Sequence, residues 1–277
     1  MMKRFISFAL LIFVCFSLFS GVLTFFHGQN KTTGGGGFTN TYSFDFKKTA
    51  NQYIDIKNAS NFHFESGGTD SAFSMSAWVQ MDDATNFRIM FKGASSNREL
   101  VFGIGSDDKL YFILYTNASN YIGLFSDATY TAYEGTWVHF AVTYDGSESS
   151  SGMNMYFNGS VISAFTDIST GTHTAINNSG SDLLIGLWSG ASPLAADGRM
   201  DEISVWDAEL TSTDISNIYN SGSPDDLSSH AKSANLILWV RADGDGTGAD
   251  GVIDHSGSLN HGTMTNMVAG DIVADVP

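Results

Sequence analysis

Apolar and polar residues alternate through the middle of the chain. In WVHFAVTYDGSESSSGMNMYFNGSVISAF, which runs from Trp137 to Phe165, every second residue from Val138 to Tyr144 is large and apolar. A period of two predicts a strand with one face in a core. Asn158-Gly159 closes a two-residue turn, because both positions can adopt the positive φ that a type I′ hairpin requires. We therefore expect residues 160–165 to return antiparallel in an antiparallel sheet.

The same alternation recurs along the chain from residue 41. It predicts two short strands within 41–56 and further strands at 72–81, 87–93, 99–105, 109–115, 120–126, 182–188, 198–206 and 235–241. A spacing of roughly 10–12 residues is typical of a sandwich or jelly roll. Ser212-Thr213-Asp214 precedes Ile215, Ile218 and Tyr219 at helical spacing and predicts one short helix. The predicted fold is all-β: a two-sheet antiparallel jelly-roll sandwich.

An uncharged stretch precedes this body. Residues 5–26 contain no charged side chain, and as a helix they would span roughly 33 Å, enough to cross a bilayer. Two alternatives stay open: an uncleaved anchor that holds the protein in the membrane, or a signal peptide over residues 1–28 that is removed. Either predicts an exported protein that is extracellular, on the cell surface or membrane-anchored.

Composition changes along the chain predict its organisation. Residues 29–39 form a Gly-rich linker, and residues 40–222 form the jelly-roll domain. Residues 223–277 are a C-terminal extension with an acidic Gly loop, which we expect to pack on the sandwich.

Charge and cysteine content exclude several functions. The formal net charge is −16, and residues 34–277 carry 10 basic against 29 acidic side chains. Such a surface repels phosphate backbones, so no nucleic-acid partner is expected. The only cysteine is Cys15, so the globular part has no disulfide and no thiolate chemistry.

No catalytic pattern stands out. A retaining glycosidase needs two carboxyl groups about 5–5.5 Å apart, but Asp201 and Glu202 are adjacent, so they point to opposite faces of a strand, and Asp207 is six residues from Asp201. No HExxH or GxSxG motif occurs. His139 lies mid-strand and is expected to be a packed, hydrogen-bonded core residue. We predict that the protein is not an enzyme.

Five segments in this order resemble laminin-G-like domains, the jelly rolls of the concanavalin-A-like lectin and glucanase group found in marine phage and bacterial surface proteins. They are YSFDFKKTANQYIDI, AFSMSAWV, WVHFAVTYDG, MNMYFNGSVI and GRMDEISVWDAELTSTDISNIYNSG. The tail NLILWVRADGDG…GVIDHSGSLNHGTM resembles a piece appended to such members. The resemblance implies two antiparallel sheets, a calcium ion at the rim and binding of surface glycans. The usual acidic Gly turn of the family start is lost, because residues 45–51 read DFKKTAN.

Calcium is the expected ion, because it takes six to eight hard oxygen ligands, many from irregular loops. Asp201 alternates with Ile203 and Val205, so we expect it to point into the sandwich at a strand end. If the first and last strands are neighbours, as the family implies, Asp45 approaches it. Asp243, Asp245 and Asp254 lie in a second pattern, D-x-D-x-T-G-x5-D, which is close to a calcium-binding loop.

Aromatic residues at strand ends are candidates for a sugar platform, namely Trp188, Trp206 and Tyr121. We predict non-catalytic recognition of a surface glycan with calcium. The alternative is a structural or adhesive envelope or virion protein that binds a protein partner.

Overall fold

Alternating apolar residues build two antiparallel sheets whose inner faces pack on each other. A computed structural model describes residues 38–57, 59–94, 96–190, 193–242 and 251–277. The strands are β1 (Ser43–Phe46), β2 (Tyr53–Ile56), β3 (Glu65–Ser66), β4 (Thr69–Asp70), β5 (Phe73–Met81), β6 (Arg88–Ala94), β7 (Asn97–Ile104), β8 (Lys109–Asn117), β9 (Asn120–Thr129), β10 (Trp137–Tyr144), β11 (Met153–Phe157), β12 (Ser160–Val161), β13 (Phe165–Asp167), β14 (Leu183–Ile185), β15 (Leu187–Trp188), β16 (Leu194–Ala195), β17 (Gly198–Trp206), β18 (Leu236–Val240), β19 (Gly262–Thr265) and β20 (Ile272–Val273).

One α-helix, α1 (Ser212–Tyr219), lies within the described residues. Short 3-10 turns connect the other elements, at Lys48–Ala50, Ala59–Phe62, Thr131–Tyr133, Ser150–Gly152, Asn220–Gly222, Leu227–Ser229, Ser233–Asn235 and Ala269–Asp271. No helix in the described part of the chain is long and apolar enough to cross a bilayer. The apolar segment 5–26 lies outside the described residues.

Each sheet has eight strands. The first runs β12-β11-β10-β5-β17-β1-β20, with β18 paired to the C-terminal half of β17, and the second runs β13-β9-β8-β7-β6-β14-β2-β19. The strands pair antiparallel in both sheets. Fully buried phenylalanines from both sheets fill the space between them, including Phe46, Phe73, Phe102, Phe112 and Phe140. The predicted all-β sandwich with one short helix is confirmed.

The central hairpin forms as the alternation predicts. β10 pairs with β11, and the turn residues Asn158 and Gly159 have φ of 47° and 74°, as a type I′ turn requires. The chain after this turn differs from the expected single strand over residues 160–165. β12 ends at Val161, and Phe165–Asp167 pairs with β9 in the second sheet. The chain therefore crosses between the sheets within the segment expected to be one strand.

The outer face of the first sheet is also covered. Helix α1 and residues from the C-terminal segment lie on it and bury Trp206, Ile215, Ile218, Leu236 and Trp239. The helix begins with a capping box between Thr211 and Asp214, so the cap lies one residue before the predicted Ser212. These segments cover the outer face of the first sheet around Trp206 and Trp239 in the described structure.

The segment 223–277 supplies strands to both sheets. β18 pairs with β17, β20 with β1, and β19 with β2. Leu238, Val240 and Met264 of this segment lie in the core between the sheets. Residues Phe38–Pro277 form one compact unit.

Candidate functional site

The outer face of the second sheet carries a cluster of aromatic side chains. In β8, Leu110, Phe112 and Leu114 face the core, so the alternate residues Tyr111 and Tyr115 lie on the opposite face. Register places Tyr111 opposite Gly103, and Tyr115 opposite Tyr121. Phe91 and Trp188 complete the cluster, with ring centroids 5.8 Å apart.

A cavity of about 300 Å³, here called the outer groove, opens on this face. Its described lining residues are Asn86, Arg88, Val101, Gly105, Ser106, Tyr111, Ile113, Tyr115, Trp188 and Leu194. They combine the half-buried rings of Tyr111 and Trp188 and the buried ring of Tyr115 with amide, hydroxyl and guanidinium groups. Such a mixture of apolar surface and a few polar groups is what small-ligand sites present.

Glycines shape the outer groove. A Cβ atom on Gly105 would lie 2.4 Å from Cε2 of Tyr111, closer than real side chains approach. Gly103 lies between Arg88 and Tyr111 in the register and places no side chain there. The absence of a side chain at Gly105 therefore lets the Tyr111 ring approach the backbone, whereas a Cβ on Gly103 would meet the backbone of residues 87–89.

Two arginines converge on Trp188. The Cζ atoms of Arg88 and Arg98 lie 5.1 Å and 4.8 Å from the Trp188 ring centroid, and Arg98 also lies 5.4 Å from the Tyr115 ring. Arg88 is 5% exposed and donates from a terminal nitrogen to Asn86 Oδ1 at 3.3 Å. Burial lowers the pKa of Arg88 to about 10, so the guanidinium stays charged at neutral pH.

Within the described residues, no carboxylate forms an ion pair with the buried guanidinium of Arg88. The Nε atoms of Arg88 and Arg98 are buried and have no acceptor there. A cation–π contact is worth about 0.5–2 kcal/mol, whereas burying a charge costs several kcal/mol when no opposite charge is present. The aromatic contacts therefore offset only part of the cost of holding Arg88 in this wall.

The outer groove offers no acid pair for hydrolysis. None of its described lining residues is Asp or Glu. The carboxylate of Asp107 lies at one end, where it accepts a hydrogen bond from the Tyr111 hydroxyl at 3.1 Å. A glycosidase needs two carboxyl groups that flank the scissile bond, and the described lining residues supply none.

A Thr–His–Asp array elsewhere is structural. His173 Nε2 lies 2.8 Å from Asp70 Oδ2, and His173 Nδ1 lies 3.0 Å from Thr116 Oγ1. The Thr116 hydroxyl donates to Ala175 O at 2.7 Å, so it does not give its proton to the imidazole. The His173 and Asp70 side chains are 1% and 0% exposed. This network fastens a loop and is closed to substrate.

The sequence-predicted aromatic residues separate in the structure. Trp188 lines the outer groove. Tyr121 lies on the same face, with its ring 5.2 Å from that of Tyr115. Trp206 is 0% exposed and donates from Nε1 to Ser204 Oγ at 2.9 Å. The prediction for Trp206 is wrong, because a fully buried ring cannot stack on a sugar.

Asp201 is fully buried, but on the other face of its strand from the one predicted. Met200 faces the core instead, because a bulge between Asp201 and Ser204 adds one residue to β17. Asp201 accepts hydrogen bonds from Asn40 Nδ2 at 2.7 Å and from the Ala242 N–H at 3.3 Å. Burial raises its pKa to about 7.

Asp45 lies on the neighbouring strand, as the family resemblance implied. β1 pairs with β17, but Asp45 is opposite Arg199 and binds Lys47 Nζ at 2.8 Å. Within the described residues, no group of three or more Asp, Glu, His or Cys side chains could hold a metal ion. Calcium binding by Asp201 and Asp45 stays a prediction.

Asp254 has a structural role in the C-terminal segment. Its Oδ1 accepts from the N–H groups of Trp239 and Ser256, both at 2.9 Å. Its Oδ2 accepts from Ser256 Oγ at 2.8 Å and from the Asn260 N–H at 2.9 Å. Asp243 and Asp245, the other residues of that predicted calcium loop, lie outside the described residues.

His139 is packed as predicted but is not hydrogen-bonded. It is 0% exposed and lies 5.3 Å from the Trp78 ring and 6.1 Å from the Tyr219 ring. Neither ring nitrogen has a partner among the described residues. Burial lowers its pKa to about 3, so it is a neutral core side chain.

The sequence reasoning missed Arg88, Arg98, Tyr111 and Tyr115 as site residues. The signal for the tyrosines was present, because KLYFILY alternates aromatic and aliphatic residues on the face opposite the core. The arginines carried no such signal, since only the tertiary structure brings the paired strands β6 and β7 together with β15.

A second cavity of about 280 Å³ lies at one end of the sandwich, between residues 128–133 and 157–162. Tyr133 and Val161 on its rim are 37% and 52% exposed, and Phe165 nearby is 45% exposed. Its surface is mainly aromatic and aliphatic.

The sandwich and its outer groove define a lectin-like jelly-roll domain. The family model Laminin_G_3, described as the Concanavalin A-like lectin/glucanases superfamily, matches residues 48–216. Since this is more than half of the chain, the protein belongs to this family, and the resemblance found in the sequence is confirmed. No curated protein matches the chain.

Several solved structures are similar to this chain, and one of them superposes with a TM-score above 0.5. A candidate carbohydrate-binding protein from Bacteroides ovatus ATCC 8483 superposes with a TM-score of 0.56 at 21% identity, over 83% of this chain and 59% of that chain. A heptameric SAP-like pentraxin from Limulus polyphemus gives 0.44 at 16% identity, over 65% of this chain and 81% of that chain. Domain 4 of AbnA, a GH43 extracellular arabinanase of Geobacillus stearothermophilus, was solved with arabinotriose. It gives a TM-score of 0.41 at 18% identity, over 60% of this chain and 72% of that chain.

Proposed function

We propose that the protein is a non-catalytic glycan-binding domain and that the outer groove is its binding site. The observation that carries the proposal is the composition of this groove, in which half-buried aromatic rings lie beside amide, hydroxyl and guanidinium donors without a carboxylate in the described lining. A pyranose ring has an apolar face and a rim of hydroxyl groups, so it complements such a surface. Family membership agrees with binding but does not decide it, because the superfamily contains both lectins and glucanases.

Tyr111 is the platform in this proposal. Its ring is partly exposed, rests against Gly105 and lines the outer groove, so a ligand in the groove can contact it. Trp188 has a different role, because the guanidiniums of Arg88 and Arg98 already lie over its ring. It holds the arginines in place and closes one wall.

A glycan array with the purified full chain tests the proposal. We expect binding to at least one class of oligosaccharide, and Tyr111→Ala to weaken it about tenfold or more, since aromatic contacts at the centre of a site carry about 1–2 kcal/mol or more of binding energy. Tyr133→Ala is the matched control, because Tyr133 is an exposed tyrosine on the second cavity. Absence of binding to every glycan, or equal loss in both variants, would contradict the proposal.

A protein partner is the alternative function, and the apolar second cavity favours it. Exposed Val161 and Phe165 give this end of the sandwich a surface suited to a protein contact. If Tyr133→Ala removes a biological activity of the full chain that Tyr111→Ala leaves intact, the alternative is supported over glycan binding.

A further inference from the structure

Arg88, which lines the outer groove, and Arg98, which lies over the same Trp188 ring, contrast with most other described cations. The protein has 29 acidic and 13 basic residues, so carboxylates are plentiful. Five described basic side chains each hold one, in the pairs Lys47–Asp45, Lys48–Asp83, Lys57–Asp55, Lys92–Glu99 and Arg199–Asp275. Within the described part of the chain, Arg88 and Arg98 hold none.

A third cation extends the same surface. Lys109 Nζ lies 4.4 Å from the Phe125 ring centroid, and the Phe125 ring is 5.4 Å from that of Tyr111. No described carboxylate forms an ion pair with Lys109. Three cations without a described carboxylate partner therefore lie on one face of the second sheet, where the Asp107 carboxylate at one end of the groove is bound to the Tyr111 hydroxyl.

A structural role alone does not account for this arrangement. Long arginine side chains often cover apolar surface with their alkyl stems while the guanidinium stays in water. Arg88 does the opposite, since it is 5% exposed and its Nε is buried without an acceptor in the described residues. Methionine or leucine would fill such a wall without leaving donors unsatisfied.

We propose that the outer groove selects an acidic glycan, whose carboxylate or sulfate group binds Arg88 and Arg98 while a sugar ring lies on Tyr111. The planar guanidinium fork matches carboxylate and sulfate oxygens in a bidentate manner. Arg88 lines the cavity together with Tyr111, so both contacts reach one ligand. The acidic surface elsewhere repels anions at long range and limits their binding to this place. The inference rests on the proposed glycan-binding function and names its ligand class.

Matched polymers test the inference with the full chain. Polygalacturonate is compared with its methyl ester, which has the same backbone without the charge, and a sulfated galactan is compared with its desulfated form. We expect the charged member of at least one pair to bind about tenfold tighter, since charge-assisted bonds are roughly twice as strong as neutral ones, and to weaken as salt is raised. The pair that shows the preference identifies the anion as carboxylate or sulfate.

Variants separate the anion contact from the platform. Arg98→Gln should remove the preference for the charged polymer, so that the charged form loses more affinity than the neutral form, whereas Lys48→Gln, which removes a cation paired to Asp83, should leave the ratio between the two forms unchanged. Arg88→Met should abolish the same preference and raise the melting temperature, because it removes an unbalanced buried charge. If Arg88 were required for folding, Arg88→Met would lower the melting temperature instead.

The outcomes distinguish the two proposals. If neutral and charged polymers bind equally and Arg98→Gln has no effect, the acidic-glycan inference is wrong and the glycan-binding proposal stands. If neither form of any polymer binds, glycan binding itself fails and the inference fails with it.

Discussion

Arg88 and Asp201 are two buried ionisable side chains with different surroundings, and Arg241 supplies an attractive charge for Asp201. Arg88 and Asp201 both lie in walls where water is largely excluded, yet the two have different partners. Asp201 accepts hydrogen bonds from neutral groups, Asn40 and the Ala242 N–H, whereas Arg88 makes one long bond to Asn86. The first is a satisfied structural group, and the second is a donor with capacity for a ligand.

Asp201 makes the stability of the protein depend on pH. Its pKa is raised by burial to about 7 in the folded state, against about 3.9 in an unfolded chain. Between these values the folded state keeps a proton that the unfolded state releases, so stability falls as pH rises from about 4 to about 7 and levels off above. The loss is up to about 4 kcal/mol, at about 1.36 kcal/mol per pKa unit.

Asp201→Asn should flatten this dependence, as measured by urea unfolding between pH 5 and pH 8. Asp207→Asn is the matched control, because Asp207 follows the same strand and accepts only from Asn235 at an exposed position in the described structure. Parallel pH profiles for the wild type and Asp201→Asn would contradict the assignment.

At the scale of elements, β17 explains why Asp201 lies where it does. The N-terminal part of β17 pairs with β1 through Gly198–Met200, and its C-terminal part pairs with β18 from Ile203 onward. The bulge falls between the two, and Glu202 has a φ of 51° there. One extra residue reverses the faces, which simple alternation cannot predict.

The Asp254 turn is the element that ties the C-terminal segment to β18. Its carboxylate accepts four hydrogen bonds, and Asn260 Nδ2 donates to Ile237 O at 2.7 Å. Asp254→Ala leaves the buried N–H groups of Trp239 and Asn260 without acceptors. We expect a loss of about 2–4 kcal/mol in the free energy of unfolding.

The destabilisation caused by Asp254→Ala should be the same in the presence of a chelator and in millimolar calcium. Thermal melts under the two conditions can measure it. Asp225→Ala, at an exposed position of the same segment, should cost less than about 0.5 kcal/mol. A loss that appears only with calcium present would instead support the calcium role predicted from the sequence.

At the scale of the whole molecule, the C-terminal segment is part of the sandwich. Its strands β18, β19 and β20 extend both sheets, and Leu238, Val240 and Met264 lie in the shared core. Deleting residues 223–277 would expose the inner residues of β1, β2 and β17, because each loses a neighbouring strand.

We expect the truncated protein to lack a cooperative thermal transition by circular dichroism and to aggregate, since its uncovered strand edges can pair with other chains. Val268→Ser is the control for changes within this segment, because Val268 is 64% exposed and its loss should leave the melting temperature unchanged. A truncated chain that melts cooperatively near the full-length temperature would show that the segment is only an appendage.

The sequence by itself determined the class of fold and the positions of most elements. The period of two, the Asn158-Gly159 turn and the spacing of strands are local properties, so the sandwich, the central hairpin and the helix at Ser212–Tyr219 could be predicted. The family resemblance was also visible, because its landmark segments are contiguous in the chain.

Only the tertiary structure decided which residues form the site. Arg88, Arg98, Tyr111 and Trp188 come from four strands. Pairing of β6, β7 and β8 in one register brings the first three together, and β15, which pairs with β16, adds Trp188. The burial of Trp206 was also decided only by the tertiary structure, since helix α1 and the C-terminal segment cover the outer face of the first sheet. Alternation fixes which side chains share a face, but long-range pairing and covering decide whether that face is buried or open to a ligand.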